Sequence, residues 1–224
     1  MRDVLRNPAY AKLFSAQIVA LLGTGLLTVA LGLLAFDLAG GDAGVVLGVA
    51  LTIKMLAYVG AGPLLIAATS RVPRKTLLVG ADVIRAAIAL MLPLVGEVWQ
   101  IYVLIFVLQC ASATFTPAFQ AVIPEILPDE RQYTRALSLS RLAYDLESLL
   151  SPALAAALLL VMSYSNLFLG TVAGFVLSAV LVLATRFPVG GGAYAYARRV
   201  VSVRAAFGVG WVLWFAYIVA GVLY

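Results

Sequence analysis

Long apolar stretches determine what this chain of 224 residues can fold into. Each is about 20 residues long, which is the length that a helix needs to cross a lipid bilayer. They lie at about 13–36, 44–68, 76–95, 99–122, 137–162, 167–185 and 203–223. Charged residues make up only 11% of the chain, too few to cover a water-soluble domain. The sequence therefore predicts an all-α polytopic membrane protein, and it excludes a soluble enzyme and a free nucleic-acid binder.

Apart from Lys54 and Arg85, the basic residues lie at the N-terminus and in or next to every second connection between these stretches. They are Arg2, Arg6 and Lys12; Arg71, Arg74 and Lys75; Arg131, Arg135 and Arg141; and Arg186, Arg198, Arg199 and Arg204. The connections near 37–43, 96–98 and 163–166 contain no lysine or arginine. Because cytoplasmic loops are enriched in these residues, we expect a multi-pass protein of the bacterial inner membrane with its N-terminus in the cytoplasm.

The residue inventory gives no support for catalysis. The chain has no histidine, and its one cysteine is Cys110. A Ser-His or Cys-His catalytic set and a histidine- or cysteine-based metal site therefore cannot form, and no phosphate-binding G-x-x-x-x-G-K-[ST] loop occurs. We predict a protein that is not an enzyme, with no metal and no cofactor.

The connection between the second and third stretches carries a family resemblance. Residues 62–86 read GPLLIAATSRVPRKTLLVGADVIRA. This segment resembles the loop signature of the major facilitator superfamily, with Arg71, Arg74 and Lys75 at the basic positions. Ser70 replaces the aspartate of that signature, and Pro73 replaces a glycine.

The fourth and fifth stretches carry a second resemblance. Residues 115–128 read FTPAFQAVIPEILP. Together with Pro152, they are similar to the drug- and siderophore-exporting branch of the same superfamily, in which a Pro-Ala-x-Gln-Ala segment leads into a turn with two prolines. The resemblance covers about residues 8–186.

The resemblance implies a fold in which two six-helix halves enclose the substrate. For this chain it implies a six-helix major-facilitator-like half bundle at 1–186, a Gly/Pro/Arg linker in the cytoplasm at 187–202 and a seventh transmembrane helix at 203–224. A single half needs a second one. We expect a homodimer, with a partner half on another chain or a truncated twelve-helix transporter as alternatives.

Two polar stripes are candidates for substrate binding, because the resemblance implies that the first and fourth helices line the cavity. The spacings of seven, three and four residues keep the members of each stripe on one helix face. The stripes are Gln17, Thr24 and Thr28 in the first stretch, and Gln109, Ser112, Thr116 and Gln120 in the fourth.

Lys54, Asp145 and Glu147 are ionisable residues inside apolar stretches. A charge at that depth is costly, so each needs water, a partner or an interface. Lys54 is a further candidate for substrate binding. The two carboxylates are candidates for proton coupling, with structural pairing to Arg141 or Arg71 as the alternative. In a homodimer, Lys54 is expected to contact Glu147 or Asp145 of the second copy.

Asp82 and Arg85 are three residues apart and are predicted to pair within one helix. The resemblance implies that a basic residue of the loop, Arg71, Arg74 or Lys75, joins them in a latch on the cytoplasmic side. Two Gly-x-x-x-Gly pairs, at 44/48 and 170/174, are predicted to pack helices closely.

Together these features predict a half-size secondary active transporter that exports small amphipathic compounds, such as drugs or siderophores, with ion or proton coupling. The expected partners are the lipid bilayer, the substrate and a second half, with no nucleic acid. The alternative is a membrane scaffold or regulatory protein that does not transport.

Overall fold

The structure, a computed structural model, describes residues 2–185, and every regular element in that range is helical. The helices are α1 (Arg2–Leu5), α2 (Pro8–Ala39), α3 (Ala43–Leu56), α4 (Gly62–Ala68), α5 (Arg74–Met91), α6 (Val98–Ile126), α7 (Glu130–Leu159) and α8 (Tyr164–Leu183). The predicted linker at 187–202 and the predicted helix at 203–224 lie outside the described residues.

Five helical runs in the described range are long and apolar enough to cross a membrane. They are Pro8–Ala68, Arg74–Leu94, Val98–Ile126, Glu130–Leu159 and Tyr164–Leu183. The first run comprises 61 residues and is interrupted at Gly40, whose φ of 53° is readily reached by glycine. A short 3₁₀ turn, Gly40–Asp42, follows and leads into α3. The prediction of an all-helical, multi-pass membrane protein is confirmed.

Local sequence explains where the long helices begin. The side chain of Asn7 accepts hydrogen bonds from the backbone N–H groups of Ala9 and Tyr10, and Pro8 occupies the first turn of α2, where no N–H is needed. Glu97 and Gln100 form a capping box at the start of α6. Asp129 caps α7 by accepting from the N–H of Gln132.

The second apolar stretch differs from the uninterrupted helix that the sequence predicts at 44–68. A π-helical turn, Ala57–Ala61, separates α3 from α4, and Pro63 lies in the first turn of α4. Proline donates no hydrogen bond, and its ring clashes with the carbonyl group four residues earlier. The wider turn accommodates both effects, which explains why the bulge lies directly before Pro63.

The core is built around α2, which packs most extensively against α8 and α7 and also contacts α3 and α6. Glycines allow the backbones of α2 and α8 to approach closely at one point. A Cβ atom on Gly174 would lie 3.1 Å from Cα of Gly23 and 3.0 Å from the backbone oxygen of Val19. The hydroxyl of Thr171 donates a hydrogen bond of 3.0 Å to the backbone oxygen of Gly23. The predicted close packing at residues 170/174 is therefore present between α2 and α8.

The two ends of the bundle differ in charge. At one end, Asp3 and Arg135 form an ion pair of 3.4 Å, and the ammonium groups of Lys12 and Lys75 lie on the last turn of α8. At the other end, the Tyr164 hydroxyl donates a hydrogen bond of 2.7 Å to Asp37. The structure thus gathers basic residues from the N-terminus, the 71–75 connection and the start of α7 at one end.

Candidate functional site

The basic end joins three segments through lysine and arginine side chains. Lys75 Nζ donates hydrogen bonds to the backbone oxygens of Leu183, at 2.5 Å, and Thr185, at 3.1 Å. Arg74 Nε lies 3.1 Å from Oε1 of Glu125, near the end of α6. Because the last carbonyl groups of a helix lack partners within the helix, Lys75 stabilises the end of α8. Among the predicted latch residues, Arg71 is exposed.

Asp82 and Arg85 form a buried ion pair on α5, as their spacing predicts. Asp82 is fully buried and Arg85 is 5% exposed. The second carboxylate oxygen of Asp82 accepts a hydrogen bond of 2.7 Å from Ser178 on α8. The guanidinium carbon of Arg85 lies 4.3 Å from the ring centroid of Phe115 and 4.5 Å from that of Phe175. The pair thus connects α5 to α6 and α8, whereas Arg74 of the loop pairs with Glu125 instead of Asp82.

The polar stripe of α2 divides into a buried part and an open part. Gln17 is 3% exposed, and its side-chain oxygen accepts a hydrogen bond of 3.0 Å from Ser140 on α7. Thr24 and Thr28 donate to backbone oxygens one turn earlier in their own helix, and Thr28 is exposed. Gln17 therefore joins two helices, while Thr28 is the member of the stripe that is open to a ligand.

The polar stripe of α6 is more open. Gln109, Ser112 and Thr116 are half-buried, and Gln120 is exposed. Tyr58, from the π-helical turn, lies beside Ser112, and Tyr144 of α7 lies within electrostatic range of Tyr58. The π-helical turn, α6 and α7 thus bring hydroxyl and amide groups to one region of the bundle. We name this region the polar wall: Tyr58, Gln109, Ser112, Thr116, Gln120 and Tyr144.

The two candidate carboxylates of α7 have different surroundings. Asp145 is exposed and pairs with Arg141 one turn earlier, at 3.6 Å. Glu147 is half-buried and lies beside Ser151 on its own helix, with Lys54 of α3 within electrostatic range. A Cβ on Gly25 of α2 would lie 2.8 Å from Glu147 Oε1. Lys54 and Glu147 therefore approach each other within one chain, and among the described residues no direct ion pair joins them.

Several residues of these clusters were missed by sequence reasoning. Glu125, Ser178, Tyr58 and Ser151 each contact a residue that the sequence did identify. Ser151 and Glu147 are one helical turn apart, and this spacing is a signal that the sequence contained. The contacts of Tyr58, Glu125 and Ser178 join different helices, so they depend on how the helices are rotated and have no local signal.

The described part of the chain is thus an integral, multi-pass, all-helical membrane protein with ionisable side chains inside its apolar helices. Comparison with known proteins gives the particular family. The family model described as Major Facilitator Superfamily matches residues 13–224. Because the match covers almost the whole chain, the protein belongs to the major facilitator superfamily.

Curated relatives include transporters from bacteria. The chain is 29% identical to Macrolide efflux protein A of Streptococcus pyogenes over 181 residues, which are 79% of this chain and 44% of that protein. It is 32% identical to Macrolide efflux protein A of Enterococcus faecalis over 138 residues, 59% of this chain and 42% of that protein. An uncharacterized MFS-type transporter of Bacillus subtilis is 31% identical over 121 residues, 54% of this chain and 29% of that protein. The chain thus spans less than half the length of these relatives. No solved structure matches it.

Proposed function

We propose that the chain is a six-helix half of a secondary transporter that exports small amphipathic compounds, with ion or proton coupling. The observation that carries the proposal is the polar wall, together with Thr28, Lys54 and Glu147. These side chains lie within the apolar helices and remain half-buried or exposed. In a lipid-facing position such groups are costly, so they favour contact with a substrate pathway. Membership in the superfamily and similarity to proteins named for macrolide efflux support export.

The six-helix count follows from the length of the first helical run. Sixty-one residues of helix would be about 92 Å long, about three times the thickness of the apolar layer. We therefore divide this run at Gly40 into two crossings, which gives six crossings over residues 2–185. The basic end, with Lys12, Arg74 and Lys75, is then cytoplasmic by the positive-inside rule.

The second half of the transporter is proposed to be another copy of this chain or a partner half. Helix α7 is the least covered of the long helices, and it carries Arg141, Asp145 and Ser148 on exposed positions. These polar residues favour a protein or water-filled surroundings over lipid. Two copies related by an axis along the membrane normal would bring the two α7 surfaces toward one pathway. A longer chain that carries both halves is the competing arrangement.

Transport is tested with the full chain reconstituted in liposomes, using efflux of a fluorescent amphipathic dye driven by a proton gradient. Gln109→Leu and Thr116→Leu remove polar groups of the wall and are expected to lower the efflux rate about fivefold each, as loss of one hydrogen bond predicts. Val107→Leu, on an exposed position of the same helix, is the control.

An efflux rate that needs no proton gradient would remove the proton coupling from the proposal. A chain that binds no dye and moves none would favour a scaffold that does not transport. Mass measurement of the complex in nanodiscs distinguishes a homodimer from a monomer that requires a partner half.

A further inference from the structure

A groove of about 310 Å³ lies at the end of the bundle opposite the basic end, where α5 ends and α6 begins. We name it the 91–104 groove, and it is lined by Met91, Leu94, Val95, Trp99, Gln100, Val103 and Leu104. Met91, Leu94, Trp99 and Val103 are each more than half exposed. The groove therefore opens on the outer surface of the bundle, which lipid covers.

The groove and the polar wall lie on different faces of α6. Val103 of the groove and Ser112 of the wall are nine residues apart. Nine residues are two and a half helical turns, which places the two side chains on opposite sides of the helix. A ligand in the groove is therefore separate from the proposed transport pathway.

Local backbone geometry creates the groove. Pro93 lies in the short 3₁₀ turn Leu92–Leu94 that follows α5. The backbone is extended at Val95 and again at Glu97, so the chain leaves α5 before α6 begins. The capping box of Glu97 and Gln100 then fixes the first turn of α6. The groove is the space between this connection and α6, and both of its sides are held by local structure.

The amide of Gln100 gives the groove hydrogen-bond donors with a fixed direction. Its Oε1 accepts from the backbone N–H groups of Gly96, at 3.0 Å, and Glu97, at 3.2 Å. Because the oxygen is held in this way, the NH₂ group points away from the backbone. Within residues 2–185 neither this NH₂ group nor the indole N–H of the neighbouring Trp99 has an acceptor. A ligand that offers oxygen atoms is needed to satisfy them.

The position and the charge of the groove identify the class of ligand. Trp99 lies next to the connection at 96–98, and tryptophan is typical of the boundary between the apolar layer and water. Val103 and Leu104 lie about 6–8 Å deeper along α6. The lining contains no charged side chain, and the connection contains no lysine or arginine to hold an anionic group. The groove thus suits an apolar chain that carries uncharged acceptors at its shallow end.

We propose that the 91–104 groove binds one phospholipid molecule, with an acyl chain against Val103 and Leu104 and an ester carbonyl oxygen that accepts from Gln100 and Trp99. A phospholipid has its ester groups at the level of the aromatic boundary and its chains below it. The volume is at the lower limit of pockets for drug-sized compounds, about 300–1,000 Å³, so it fits part of one chain better than a whole transported molecule. The inference goes beyond the proposed transport and does not depend on it.

The test uses phosphatidylcholine with a photoreactive diazirine midway along one acyl chain. The full chain is placed in nanodiscs that contain a small fraction of this probe, and the labelled residues are mapped by mass spectrometry after illumination. Labelling is expected to concentrate on Met91, Val103 and Leu104. Leu160, which is 86% exposed at the same end of the bundle, reports labelling by freely exchanging lipid.

A matched pair of variants separates the groove from the general lipid-facing surface. Val103→Trp fills the groove, so labelling of Met91 and Leu104 is expected to fall about fivefold, since the overfilled site has no room for a chain. Val107→Trp is the control, because Val107 is an exposed valine one turn further along α6 that does not line the groove. Its labelling should equal that of the unmodified chain.

Two conservative variants test the hydrogen bonds without filling the groove. Gln100→Glu keeps an oxygen for the capping box and removes the amide donors, and Trp99→Phe keeps the ring and removes the N–H. Each is expected to lower labelling about threefold, as loss of one hydrogen bond predicts. An otherwise identical phosphatidylglycerol probe is expected to label as strongly as phosphatidylcholine, because the proposed contact is with the ester group that both lipids share.

Three results would overturn the proposal. The first is labelling of the groove that does not exceed that of Leu160. The second is equal labelling of Val103→Trp and Val107→Trp, together with unchanged labelling of Gln100→Glu and Trp99→Phe. The third is loss of the labelling when the fluorescent amphipathic dye is added in excess, which would make the groove a site for the transported compound. Because none of these measurements requires efflux, a chain that moves no dye but labels as expected contradicts the transport function alone.

Discussion

The Asp82–Arg85 pair and the Glu147–Lys54 pair place the same kinds of charge inside apolar helices, yet their surroundings are opposite. Asp82 accepts from both Arg85 and Ser178, and the guanidinium group lies between two phenylalanine rings. Glu147 and Lys54 are half-buried, and no ion pair joins them in the part of the chain that the structure describes. The first pair lies on α5, has partners on α6 and α8 and is closed to water, although the buried Nε of Arg85 has no hydrogen-bond partner among the described residues. The second pair is partly open.

This difference separates structural charges from functional ones. A buried ion pair whose members are in direct contact stabilises one arrangement of helices, because movement of either member leaves a charge unpaired. A pair that is not in contact tolerates two arrangements and can respond to a proton or a ligand. We therefore propose that Asp82 and Arg85 serve the packing of α5, α6 and α8, and that Glu147 and Lys54 belong to the transport site.

The sharpest test of this comparison is neutralisation of one carboxylate in each pair. Asp82→Asn leaves Arg85 buried without its counter-charge, and the free energy of unfolding is expected to fall by about 3–5 kcal/mol. Glu147→Gln removes a partly exposed carboxylate without a direct ion pair, so a change of about 1 kcal/mol or less is expected. Unfolding titrations in mixed detergent micelles measure both.

Adding Arg85→Met to Asp82→Asn is expected to recover part of the loss, because the stranded charge is then gone. Equal losses for Asp82→Asn and Glu147→Gln would show that the two pairs do not differ as proposed.

A second comparison concerns the two predicted glycine pairs, of which only one is used for close packing in the described residues. A Cβ on Gly174 meets the backbone of α2, while no atom lies within 4 Å of a Cβ on Gly48. Gly174→Ala is therefore expected to lower the free energy of unfolding by about 1–3 kcal/mol through overpacking. Gly48→Ala removes the cost of glycine in a helix and is expected to raise it by up to about 1 kcal/mol. The same titrations apply, and a loss for Gly48→Ala would indicate that α3 has a packing partner at this position.

The sequence predicted the fold well because its strongest signals are local. Apolar length gave the helices, and the connection predicted near 37–43 contains the turn at Gly40–Asp42. The first long helix begins at Pro8, earlier than the predicted 13, because its first turn is partly polar. The interruption before Pro63 was missed, since the apolar stretch itself continues through Ala57–Ala61. Composition indicates whether a segment lies in the apolar layer of the membrane. The pattern of backbone hydrogen bonds within this segment depends on one residue, Pro63.

The candidate site was less predictable, because it depends on how helices face each other. Gln17 and Thr28 belong to one stripe, yet Gln17 is covered by Ser140 of α7 and Thr28 is exposed. Residue spacing along a helix predicts which side chains share a face of that helix. It does not predict which other helix packs against that face at a given depth in the membrane. The close approach of Gly25 on α2 to Ser151 and Glu147 on α7 was missed for the same reason, since it depends on how these two helices meet.

The smallest expected effect is that of replacing Asp145. Comparing it with replacement of Glu147 tests which carboxylate of α7 takes part in proton coupling. Asp145 and Arg141 are both exposed and lie one turn apart, and such helix-surface pairs contribute about 0.3–0.5 kcal/mol. Asp145→Asn is therefore expected to leave the free energy of unfolding almost unchanged, and dye efflux as well, because its charge is already compensated by Arg141. Glu147→Gln, which differs by two positions on the same helix, is expected to abolish efflux driven by a proton gradient. Measuring efflux for the two variants side by side compares them directly. If Asp145→Asn abolishes efflux and Glu147→Gln does not, the carboxylate paired with Arg141 carries the proton, and exposure rather than the lack of a direct ion pair marks the functional charge.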